Sequence, residues 1–169
     1  MPKFDDEPNW ITAASRVVEG AIRQSSDHLH RLVIVLGVST PPQSVFLKRL
    51  KMRINSATYI NLGLEASKVL KDIPSCDRGN EVRDIIMTIS DQVEGDILLF
   101  DGLDVLLDPD LEFDPIRFLR DLSRSRTVVA SIGGEYVNGV ITYSEQGHSE
   151  YRRLDVGDAV VVDLGRFDL

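Results

Sequence analysis

The chain has 169 residues, a formal net charge of −8, 43% hydrophobic residues and 27% charged residues. That length suits one domain with a real core, and the balance is that of a globular protein. It excludes a membrane-spanning helix, because no apolar run is long enough, and its acidity excludes strong independent binding of nucleic acid by bulk electrostatics. One cysteine, Cys76, leaves no internal disulfide to form and fits a reducing, cytoplasmic setting.

Residues 1–8 read as a flexible acidic lead without the apolar core of a signal peptide, and residues 9–169 as a single domain. Trp10, Ala14, Val17, Val18, Ala21 and Ile22 recur at helical spacing, which predicts a helix from Asn9 to about His28 with Asn9 as its cap. Leu32 to Gly37 is a continuous apolar run and reads as a buried strand. A loop over Val38 to Ser44 follows, then a helix carrying Phe46, Leu47, Leu50 and Ile54. Thr58 to Leu62 reads as a second strand and Leu64 to Leu70 as a short helix. Ser75 to Asn80 is polar loop, and Val82, Ile85, Ile86, Ile89 and Val93 mark a further helix. Asp96 to Asp101 is apolar between two acids and reads as a central strand buried on both faces. Asp114–Pro115 opens another helix, with an N-cap followed by proline at the first helical position. Thr127 to Ile132 is a fourth strand, ended by Gly133–Gly134. Val140 to Tyr143 and Ala159 to Leu164 suggest an extended, hairpin-like finish.

Alternating strands and helices imply a parallel sheet with crossover helices. The expected architecture is a three-layer, phosphate-loop NTPase-like sheet of the AAA or RecA kind, with a short β-rich C-terminal extension. The strand, loop and helix from Arg31 to Leu50 frame the pattern G-x-x-x-x-G-K-[ST]. Gly37 takes the first glycine and Ser44 the final hydroxyl, while Pro42 replaces the second glycine and Gln43 the lysine. Proline removes an N–H donor and fixes φ, and glutamine carries no charge for the phosphates. Two readings stand level on these residues: an ordinary strand-to-helix connection opened by Pro41 and Pro42, or a decayed nucleotide site for ATP and Mg²⁺.

The second half of such a site is an acid at the end of a neighbouring strand, holding Mg²⁺ directly or through water. Asp101 fills that place, but Gly102 follows it where many such ATPases carry Glu, and Asp104 is the substitute within reach. Ser131, ending the fourth strand, suits a polar sensor of a γ-phosphate. Arg124 and Arg126 could serve as an arginine finger across a subunit interface, with helix C-terminal pairing as the plainer explanation. His148, between Glu145 and Glu150, reads first as surface loop rather than a metal or catalytic centre. Charge is uneven: Glu94 to Asp114 holds eight acids and no Lys or Arg, whereas Lys48, Arg49, Lys51 and Arg53 make one helix basic. Lys48, Arg49 and Arg53 are the candidate interaction residues.

The run FDGLDVLLDPDLEFDPIRFLRDLSRSRTVVASIGGE, followed by ITYSEQGHSEYRR, resembles the BrxF family, small phosphate-loop-containing proteins of type 3 bacteriophage exclusion (BREX) systems. The resemblance runs from about Leu32 to Arg153. It rests most on Asp114 to Leu119, Ser123 to Thr127 and Gly147 to Arg153. It implies a bacterial cytoplasmic component of an antiphage assembly, with an ATPase-like fold. The partners it implies are a large ATPase, a DNA methyltransferase and a phosphatase-like protein. The family's phosphate loop maps onto Gly37 to Ser44, from which this chain departs at Pro42 and Gln43, and Asp101 matches the magnesium acid.

Three functional readings follow. The first is a non-enzymatic scaffold or regulator on a decayed ATPase fold, assembling with itself or a larger partner. The second is a slow NTPase or nucleotide-binding switch using an atypical loop. The third and weakest is a DNA-binding adaptor using the basic helix, with DNA contacted only indirectly unless assembly aligns several such helices.

Overall fold

The apolar runs pair side by side as the middle of a parallel sheet. The computed structural model describes residues 8–37 and 40–167. Its strands are β1 (Leu32–Gly37), β2 (Ala57–Asn61), β3 (Ile97–Asp101), β4 (Thr127–Gly133), β5 (Glu135–Val137), β6 (Val140–Tyr143), β7 (Arg152–Asp155) and β8 (Val160–Asp163). Its α-helices are α1 (Asn9–Ser25), α2 (Thr40–Arg53), α3 (Leu62–Leu70), α4 (Arg78–Asp91) and α5 (Pro115–Leu122). Five strands form a parallel sheet in the order β2-β3-β4-β1-β8, and β5, β6 and β7 form a small antiparallel sheet.

All six residues of β1 are buried, because β4 and β8 flank it and helices cover both faces. Its side chains alternate between two cores. Val33 and Val35 pack with α1 and α2, through Ile11, Val18, Phe46, Leu47 and Leu50. Leu32, Ile34 and Leu36 pack on the opposite face with α3, α4 and α5. Burial on both faces is the reason these strands read as unbroken apolar runs rather than alternating ones.

The expected α/β sheet flanked by helices is present, with several boundary corrections. Asn9 is the first helical residue rather than the cap: Ile11 N–H donates to the Pro8 carbonyl at 2.9 Å, so the first turn already encloses it. The expected loop over Val38 to Ser44 is shorter, because α2 starts at Thr40 with Pro41 and Pro42 in its first turn. Helical first-turn N–H groups lack intrahelical acceptors, so proline costs little there. Val38 and Ser39 lie outside the described residues. Asp114 does cap α5, its Oδ1 accepting from Arg117 N–H at 3.0 Å.

The C-terminal end departs most from expectation. Val140–Tyr143 pairs with β5 and β7, but Val160–Asp163 returns to the main sheet as a parallel neighbour of β1. Val162 and Leu164 thereby seal the core beside α1. Two short 3-10 turns, Leu103–Leu107 and Pro109–Leu111, occupy the acidic segment that sequence periodicity left blank. Arg152 straps this segment from the small sheet, donating to the Phe113 carbonyl at 2.9 Å and the Leu107 carbonyl at 3.4 Å.

Phe46 is fully buried and stacks on Trp10 with ring centroids 6.3 Å apart, tying α2 to α1. Phe46→Ala is expected to cost about 3–5 kcal/mol through lost burial and the cavity left behind. A thermal scan should then show a melting drop on the order of 10 °C, whereas Met52→Ala, on the exposed face of the same helix, should barely move it.

Candidate functional site

Side-chain parity brings the predicted residues together. Along a strand, every second residue shares a face. Val35 and Gly37, Leu99 and Asp101, and Val129 and Ser131 therefore point toward the face that α2 covers, with Tyr59 of β2 opposite Leu99 in register. Because α2 follows β1 directly, its first turns lie across the C-terminal ends of β1, β3 and β4. Ser44 is thus set beside Asp101.

Asp101 is only 3% exposed and accepts four hydrogen bonds. Ser44 Oγ donates to its Oδ2 at 2.6 Å and the Tyr59 hydroxyl to the same oxygen at 2.7 Å. Ser131 Oγ at 3.0 Å and Gly102 N–H at 2.8 Å donate to Oδ1. A buried carboxylate needs such partners to offset its lost hydration. Burial, followed by the bond to Asp101 and that carboxylate's charge, pushes the Tyr59 phenol well above its usual value, so it remains a donor. The Lys48 ammonium lies 5.7 Å from the centre of the Tyr59 ring.

Gln43, in the lysine position, is 3% exposed. Its Nε2 donates to the Ile132 carbonyl at 3.1 Å, and its side chain lies across Gly37. A Cβ on Gly37 would collide with Gln43 Cγ, so the glycine leaves room for this close approach. The side chain that would reach for phosphate is turned into the sheet instead. Neutral and engaged, Gln43 does not fit the role of a cation toward a triphosphate. Ser44 and Asp101 do fit a magnesium pair in type and proximity, provided they exchange their mutual hydrogen bond for the ion.

The residue after Asp101 is fixed by packing. Gly102 has φ of 72°, and a Cβ there would stand 2.7 Å from Asn61 Oδ1 and 3.1 Å from Gly63 N. A glutamate at this position would meet both strain and collision. Asp104 comes from the following 3-10 turn, with Oδ1 accepting from Gly133 N–H at 3.4 Å. Burial raises its carboxyl above the usual range, the Asp101 charge adds to that, and backbone hydrogen bonds partly oppose it.

The other predicted residues lie apart. Arg126 donates to the Ser90 and Val93 carbonyls at 3.0 and 3.1 Å, which satisfies the end of α4. Arg124 is exposed nearby, and its carbonyl accepts from Arg31 at 3.3 Å. Both stand before β4, at the end of the sheet away from Asp101, so within one copy neither faces the site. On α2, Arg53 donates to Glu19 Oε1 at 3.1 Å and is engaged with α1, while Lys48 is exposed and Arg49 half-buried. His148 accepts at Nδ1 from Glu150 N–H at 3.3 Å within its own turn. Tyr59 is the residue sequence reasoning missed. The pattern TYINL gives its parity, but only the pairing of β2 with β3 brings its hydroxyl to Asp101.

No family model matches the chain, and no curated protein matches it. Among solved structures, PCH-2 from C. elegans is similar, with 16% identity and a TM-score of 0.50, covering 96% of this chain and 44% of that one. The chain thus spans less than half the length of that neighbour. At this identity the likeness shows the fold alone: a parallel α/β sheet flanked by helices. No helix among the described residues is long and apolar enough to cross a membrane.

Two measurements probe the site. Tyr59→Phe removes one donor from a buried carboxylate and should cost about 1–2 kcal/mol in a denaturant titration. Asp104→Asn should raise the melting temperature at neutral pH, because the native state holds the ionised carboxylate at a cost. A raised native pKa gives stability that is present below the ordinary carboxylate range and lost as pH rises through the native value. The gain from Asn should therefore shrink as the pH falls through the raised native value and be absent below about 4; a gain independent of pH would contradict the burial argument.

Proposed function

We propose that the chain is a phosphate-loop NTPase-like protein whose nucleotide site has been closed from within, acting as a scaffold or regulator in a multi-protein antiphage assembly of the BREX type 3 kind. The observation that carries this reading is the inward turn of Gln43, which fills the space over Gly37 and bonds β4 in place of a phosphate-binding lysine. The four-donor satisfaction of Asp101 supports it, because the hydroxyls that would assist a metal are already spent on the acid. So does the fold likeness to PCH-2, an AAA+ ATPase. The sequence resemblance to the BrxF family supplies the setting and the partner classes: a large ATPase, a DNA methyltransferase and a phosphatase-like protein.

A slow ATPase or nucleotide switch is the second reading, favoured by one feature. Ser44 and Asp101 keep the 2.6 Å contact that the two halves of a magnesium site would share. Calorimetry of the purified protein with ATP and Mg²⁺ separates the two. The scaffold reading expects neither heat nor a thermal shift at millimolar ATP. A ligand present at about a hundred times its dissociation constant should stabilise by roughly 2.7 kcal/mol, so a shift of that size, absent in Asp101→Ala, would establish the nucleotide reading instead. Reversal of Lys48 and Arg49 to glutamate is expected to abolish capture of the system's large ATPase, methyltransferase or phosphatase-like protein. Capture undiminished in that variant would remove the basic helix from the scaffold.

A further inference from the structure

Helix α2 has two working faces. Phe46, Leu47 and Leu50 bury one of them. The other carries Val45, Lys48, Arg49 and Met52 at positions i, i+3, i+4 and i+7, with Val45 48% and Met52 46% exposed. This is an apolar and cationic stripe on one side of a helix. Among the described residues no ion pair engages Lys48 or Arg49, although Arg53 on the same helix is tied to Glu19. Large apolar side chains flanking two cations that no ion pair engages, one of them over the Tyr59 ring, are a poor solvated face and a good contact face.

The opposite chemistry is found across the sheet. The 3-10 segment after β3 borders a cleft of 180 Å³ lined by Asp104, Val105, Leu107, Asp108, Tyr143 and Glu150. Three carboxylates line it, and no lysine or arginine does. Val105 is 44% exposed at its rim, and Leu64, 54% exposed, lies on the neighbouring helix. The partly buried Asp104 carboxylate, beside Asp101, gains more from an incoming cation than a fully solvated acid would. The cleft is thus acidic with an apolar rim, and the α2 stripe is cationic with apolar ends.

We propose that the α2 stripe docks into this cleft of a second copy of the same chain, with Lys48 and Arg49 facing Asp108 and Glu150 and with Val45 and Met52 against Val105 and Leu64. Charge complementarity between these two surfaces is the argument for that occupant. The two surfaces belong to opposite layers: α2 packs with α1 on one side of the sheet, and Leu106 and Leu107 pack with α3 to α5 on the other. One copy cannot satisfy its own cleft, so the contact is heterologous, running head to tail. The inference deepens the scaffold reading and rests on it for biological meaning, but not for its physics.

The test is solution mass by sedimentation and light scattering on the full chain. At about 0.1 M salt, where screening acts over roughly 10 Å, the mass should rise with concentration to at least twice that of one chain. At about 1 M salt, with a screening length near 3 Å, it should return toward one chain. Lys48→Glu with Arg49→Glu should give single chains, and so should Asp108→Lys with Glu150→Lys, each with an unchanged thermal transition as the control for folding. An equimolar mixture of these two double variants offers one pairing of native sign and one with the signs exchanged, and should associate again. Single-chain mass for the unaltered protein at low salt, or association indifferent to both reversals, would overturn the proposal. If the unaltered chain is single but the Lys48→Glu, Arg49→Glu variant still loses its defence-system partners, self-docking falls and the scaffold reading stands. If it self-associates as expected yet captures none of those proteins, the reverse holds.

Discussion

A single buried carboxylate organises the C-terminal edge of the sheet. Asp101 draws a hydroxyl from α2, one from β2, one from β4 and the backbone N–H of its own successor. Each of those donors belongs to a different element, so the acid acts as a knot joining β2, β3, β4 and α2. An ionised group removed from water is costly, and full satisfaction by hydrogen bonds offsets that cost. The same arrangement restricts the chemistry available: a carboxylate with its lone pairs engaged must surrender bonds before it can take a metal ion.

Gln43 makes the complementary statement at the start of α2. A lysine at that position would bring a charge needing either phosphate or solvent. The amide needs only a carbonyl, which Ile132 supplies, and its buried stem fills the space above Gly37. A neutral amide at position 43 is therefore satisfied within the sheet edge, where a buried ammonium would lack an anionic partner. Gly102 follows the same logic on the other strand, since its left-handed backbone and its contact with Asn61 leave no room for a catalytic carboxylate. Two departures from the expected pattern, Gln43 and Gly102, become consistent features of one packed edge.

The C-terminal motif from Gly147 to Arg153 gains a physical role through Arg152. Its guanidinium holds the Leu107 and Phe113 carbonyls and thereby fixes the 3-10 segment that carries Asp104 and borders the acidic cleft. His148, four residues earlier, accepts at Nδ1 from Glu150 N–H within its own turn. A conspicuous string of polar residues can thus divide between a structural strap and a solvated loop.

The amino-acid sequence by itself determined the layered α/β plan, because apolar runs and helical periodicity alternate along the chain and each must bury its apolar face. It also determined the four central strands and the Asp114 cap, since periodicity and capping are local properties, whereas the contact of Ser44 with Asp101 spans 57 residues and needs α2 packed on β3. Tertiary structure decided the remainder. The destination of β8 depends on which sheet edge is open, the donor role of Tyr59 depends on inter-strand register, and the engagement of Arg126 and Arg152 depends on carbonyls 33 to 45 residues away in sequence. The inward turn of Gln43 depends likewise on the Ile132 carbonyl of a strand distant in sequence. Such long-range contacts carry no local periodicity, so only the folded chain reveals them.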